Sequence, residues 1–145
     1  MIYEKNKLES IVNLKKHPID EAGYRTKCKL MLDNDGVLVL NNFLLKESIK
    51  SILEEAKQQE NLAYYCINEH NVYLEPFDNQ FDKDHPRNKT VISSKGCITD
   101  NQVPKSSSLR ALYNSLDFKD FLCNVLDEEV LYKYGDNLSS INIHY

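Results

Sequence analysis

The stretch Leu138-Ser139-Ser140-Ile141-Asn142-Ile143-His144-Tyr145 restricts the fold most. It alternates apolar and polar residues with a β-branched bias, which is the pattern of a strand. A strand's backbone donors and acceptors need a second strand, so the chain must build a sheet. Alternation across a strand puts Asn142 and His144 on one face and Ile141 and Ile143 on the other. Facing inward, the polar pair would make a small polar site; facing outward, it would be ordinary surface. The expected strand runs to Tyr145 without a turn signal or charged tail, as an interrupted fold would.

Helical spacing elsewhere makes the class α+β. Leu8, Ile11 and Val12 share a helical face, and His17-Pro18 ends that segment, because the residue before a proline avoids the helical region. A second helix is expected from Asp20 as N-cap, with Tyr24, Cys28, Met31 and Leu32 as its stripe. It stops at Asn34-Asp35-Gly36, so residues 1–34 read as an N-terminal helical arm. Ile49, Ile52, Leu53 and Ala56 mark the clearest helix. Two more stripes follow: Leu109, Leu112, Tyr113 and Leu116, then Phe118, Phe121, Leu122, Val125 and Leu126 with Asp117 as N-cap. Further strands are expected at Val37–Leu40, Leu62–Ile67, Asn71–Leu74 and Val130–Tyr132. Residues 75–104 lack periodicity and read as a long loop, disordered or laid across a site as a lid.

A chain of 145 residues with 41% apolar and 28% charged content fits one soluble domain. The net charge of −4 and scattered lysines argue against nucleic acid as a partner. No apolar run approaches the roughly 20 residues that cross a bilayer, so no membrane partner is expected. Met1 to Lys7 lacks the apolar centre of a signal peptide. Cys28, Cys66, Cys97 and Cys123 form no Cys-x-x-Cys. Reduced thiols in a cytoplasmic protein are the simplest account.

Residue types that bind metals cluster at Glu69, His70, Asp82, Asp84 and His85, but without metal-site spacing, so a solvated acidic loop is preferred. No phosphate loop and no Gly-x-Ser-x-Gly occurs. Ser93-Ser94 and Ser106–Ser108 read as loop and N-cap serines. Tyr64, Tyr65, Tyr113 and Tyr132 read as core and interface aromatics. Arg110 lies within a helical stripe, where its stem can snorkel. Arg87 follows His85-Pro86 in the aperiodic stretch. A fork donor there can grip a substrate carboxylate; an exposed loop charge is the equal alternative.

Taken in order, a set of phrases resembles the N-terminal half of an Fe(II)/2-oxoglutarate-dependent oxygenase, on the branch of amino-acid hydroxylases and free-lysine halogenases. They are Asp35-Gly36-Val37-Leu38-Val39-Leu40 with Phe43-Leu44, Asn71-Val72-Tyr73-Leu74, His85-Pro86-Arg87 and Ser93-Ser94-Lys95-Gly96. Asp100–Pro104, Ser108–Tyr113, Leu131-Tyr132-x-Tyr134 and Ile141–Tyr145 complete the set. The resemblance covers residues 30 to 145 and implies a double-stranded β-helix, a jelly roll with flanking helices. It implies Fe(II) and 2-oxoglutarate as cofactors of the whole protein and a small amino-acid-like substrate. It assigns Asn142 and His144 to the 2-oxoglutarate pocket, and Arg87 and Asp136 to the substrate's carboxylate and amine.

The iron motif itself is missing. None of His17, His70, His85 or His144 has Asp, Glu or Gly two residues on. Residues 1–145 are therefore expected to be one incomplete domain that lacks the iron triad and the 2-oxoglutarate arginine, binds neither cofactor tightly and is inactive alone. Two other readings stay open. One is a non-catalytic α+β interaction module that pairs through its C-terminal edge strand, as a homo-oligomer or with a partner. The other is an unrelated small α+β domain.

Overall fold

Breaker and cap residues set the helix ends. In the computed structural model, which describes residues 8–145, α1 (Ala22–Asp35) stops where Gly36 takes a φ of 68° and bonds the Leu32 carbonyl. Only a residue at ease in the left-handed region closes a helix this way. Its N-cap is Glu21 rather than Asp20. Helix α2 (Lys46–Gln59) carries the expected stripe. Ser107 caps α3 (Ser108–Tyr113) by accepting from Leu109 N–H, and Ser115 caps α4 (Leu116–Leu126) by accepting from Phe118 N–H. Asp117, expected as that cap, lies in the first turn of α4. The Met1–Lys7 part of the expected arm, with its signal-peptide reading, lies outside the described residues.

Three strands form one antiparallel sheet in the order β1 (Tyr64–Asn71), β2 (Thr90–Ile98), β3 (Ile143–His144). The architecture is α+β. Tyr65 stands opposite Gly96, Asn71 opposite Thr90, and Cys97 opposite His144. The β1–β2 pairing corrects the reading of 75–104 as one long loop, since Thr90–Ile98 is a strand. Its Ser-Ser-Lys-Gly run shows no apolar alternation because much of this sheet faces water. Ile67 and Ile92 are more than 70% exposed, and Tyr64 and Tyr65 are exposed too, which removes the core half of their expected core and interface role.

Three other expected strands are absent. Residues 37–40 run extended but unpaired. The Leu40 carbonyl accepts from Phe43 N–H in a turn, and cross-chain backbone bonds follow where Asn13 N–H bonds the Phe43 carbonyl and Leu45 N–H the Ile11 carbonyl. Residues 130–132 have no ladder; side chains fasten the segment instead. Tyr134 N–H bonds the Tyr113 hydroxyl, and Lys133 Nζ bonds Asn114 Oδ1. Asn71–Leu74 leaves β1 as a turn, with Leu74 at a φ of 55°. The last strand is also shorter than its sequence pattern. Residues 138–140 curl because Asp136 accepts from Leu138 N–H and from the Ser139 hydroxyl.

Burial is split. The larger cluster joins the two parts of the arm to α4: Leu8, Ile11, Val12 and Ile19 meet Cys28 of α1 and Phe121 and Val125 of α4. The smaller one, Ile98, Val103 and Ile141, lies under one end of the sheet. All four cysteines are free thiols. No helix among the described residues is long and apolar enough to cross a membrane.

Candidate functional site

Two asparagines build the connection between β1 and β2. Asn71 ends β1 and is buried; its Oδ1 accepts from Tyr73 and Glu75 N–H while its Nδ2 donates to the Glu75 carbonyl at 2.7 Å. Asn88, also buried, accepts from Asp78 N–H at 2.8 Å and donates to the carbonyls of Asp78, Phe81 and Asp82. A carboxamide offers two donors and an acceptor with two lone pairs, so one side chain can close such a loop. Neither asparagine stood out as structural in the sequence.

Arg87 precedes Asn88 and is positioned by this framework. Its guanidinium carbon stands 5.4 Å from the centroid of the Tyr73 ring, a cation–π arrangement. Its main-chain N–H donates to His85 Nδ1, and His85 stacks on Phe81 with centroids 4.5 Å apart. The Nη1 nitrogen is enclosed and has no hydrogen-bond partner among the described residues. A carboxylate could reach this fork donor only through its other nitrogens, or after the enclosed Nη1 is uncovered.

The other three sequence-singled residues lie elsewhere. Asp136 caps the turn at Leu138, and those hydrogen bonds from Leu138 N–H and the Ser139 hydroxyl hold its carboxyl below the usual range. Asn142 Nδ2 donates to the Leu138 carbonyl at 2.9 Å. His144 follows in β3 opposite Cys97. Asn142 and His144 are both exposed. The final residue is tied in: Tyr145 exchanges backbone hydrogen bonds with Gly96, and its hydroxyl donates to the Ala56 carbonyl in α2. Burial first, then Glu60 and then Tyr65 raise the Tyr145 phenol. Arg87 enters β2 at its Thr90 end and His144 pairs at Cys97, a span of roughly 23 Å of extended chain. Asp136 and Asn142 thus meet through Leu138, while His144 lies opposite Cys97 and Arg87 is set apart.

Arg110 has a firmer task than covering apolar surface with its stem. Its guanidinium meets the Asp100 carboxylate at 2.9 Å and donates to the carbonyls of Asp100, Val103 and Pro104. The phrases at 100–104 and 108–113 are therefore one clamped unit. Set against known families, curated proteins and solved structures, the chain matches no family model, no curated protein and no solved structure.

No group of three or more His, Cys, Asp or Glu among the described residues is placed to hold a metal ion. Both exposed, Asn142 and His144 correspond to the surface alternative of the sequence reading and not to an inward-facing polar site.

Proposed function

We propose that this chain forms the substrate-gripping part of an Fe(II)/2-oxoglutarate-dependent oxygenase of jelly-roll fold, acting on a small amino-acid-like substrate, with iron ligands supplied by other residues. The single observation that carries the reading is Arg87. It is the residue the resemblance assigns to a substrate carboxylate, and its guanidinium lies on Tyr73 with Nη1 enclosed and unbonded. The open antiparallel sheet supports it further: exposed Ile67 and Ile92 would pack against the second sheet of a jelly roll. In this reading Arg87 orients the substrate, Asp136 faces its amine, and Asn142 and His144 line the co-substrate corner. Iron with 2-oxoglutarate would supply the oxidising chemistry.

Titrating the isotope-labelled chain with free amino acids, observed at the backbone amides of Tyr73, Arg87 and Asn88, tests the reading. The expected result is a saturable shift that Arg87→Lys removes while the backbone spectrum stays dispersed. A flat Arg87 response across amino acids and 2-oxoglutarate refutes it.

One observation favours a second reading, an interaction module. Along Thr90–Lys95 the second edge of β2 is unpaired among the described residues, because β3 covers only Cys97 and Ile98. Such an edge is a template for a further strand. Concentration-dependent dimerisation without any response at Arg87 would select it.

A further inference from the structure

A cavity of about 270 Å³ lies between α4 and the extended segment 131–133, away from Arg87, Asn142 and His144. Leu116, Phe118, Leu122 and Leu131 supply apolar walls, and Lys119 and Lys133 stand among them. Leu116 is 58% exposed, a costly placement for a leucine unless something covers it. Two ties hold the opening: Tyr134 N–H to the Tyr113 hydroxyl, and Lys133 Nζ to Asn114 Oδ1. Neither lysine joins an ion pair among the described residues, whose pairs involve Lys29, Lys50 and Arg110. Lys133 is held by a neutral amide, so its charge is left uncompensated.

We propose that this cavity binds a small amphipathic carboxylate, a monocyclic aromatic or branched aliphatic acid, with its apolar body on the leucines and Phe118 and its carboxylate between Lys119 and Lys133. The volume lies at the lower end for small-molecule pockets, which fits one ring and a short acid chain rather than a long acyl tail. Apolar walls with a few charged groups are the composition of a site that orients an amphiphile. Two lysines in a lining that includes no acidic side chain favour an anion over its neutral analogue.

The experiment uses the full chain with 3-phenylpropionate and its neutral amide, read at the methyl resonances of Leu116, Leu122 and Leu131. The acid is expected to shift these methyls saturably. Lys119→Gln, which leaves both ties intact, should weaken it about tenfold, the worth of one charge-assisted hydrogen bond. Arg87→Lys should change nothing at these methyls, which separates this site from the proposed substrate site. Unmoved methyls, or equal binding of acid and amide, overturns the proposal.

Discussion

His17 shows how one buried residue can hold an arm in place. Its Nε2 must donate to the Asn41 carbonyl at 3.1 Å, so its Nδ1 accepts from the Tyr24 hydroxyl at 2.6 Å. Burial, and then the Cys28 thiol, push the Tyr24 phenol from 10.0 up to about 12. A phenol whose folded pKa is raised adds stability that is full below 10.0 and is lost as pH climbs towards about 12. Tyr24→Phe should lower stability by about 1–3 kcal/mol at neutral pH, because His17 Nδ1 is left buried without a donor. Urea unfolding measures the loss; the same titration above pH 10.0 should show a shallower alkaline decline in the variant. None of this was legible beforehand. Tyr24 was placed on a helical stripe, but its partner is set by a contact with the arm. Arg87 was legible as a fork donor, because packing gives an arginine nothing after His85-Pro86; the Tyr73 ring beneath it was not.

At the scale of elements, helices were easier to read than strands. Gly36 and the Ile49–Ala56 stripe carry local chemistry that needs no distant partner. Strands depend on pairing. Val37–Leu40 has the residues of a strand but no neighbour, whereas Thr90–Ile98 lacks the apolar pattern yet pairs along all of β1. Gly96 is the pivot of that pairing. A Cβ there would lie 2.7 Å from Tyr65 Cε1 and 3.2 Å from Tyr145 Cβ. Tyr65 and Tyr145 thus converge on the glycine from the strands on either side, closing a row across the sheet. Gly96→Ala should cost up to about 1 kcal/mol, because the half-exposed Tyr65 ring can swing towards solvent while Tyr145 Cβ must give slightly. Thermal unfolding measures the loss, and a change in the Tyr65 ring resonances locates it; an unchanged melting temperature would show that the ring gives way freely.

Across the whole molecule, the helical cluster and the sheet are unequal. The arm and α4 share the larger buried set, while the sheet rests on Ile98, Val103 and Ile141. The proposed oxygenase part explains that imbalance, since a jelly roll covers its sheet with a second one. The short β3 has a sharper consequence. The N–H and C=O of Gly96 point towards β3, so by alternation those of Ser94 and Ile92 point the same way, where no strand of the described residues lies. Deuterium should therefore enter β2 with a period of two: fast at Ile92 and Ser94, slow at Ser93 and Lys95, which face β1. Any polypeptide that docks on that side would erase the stripe.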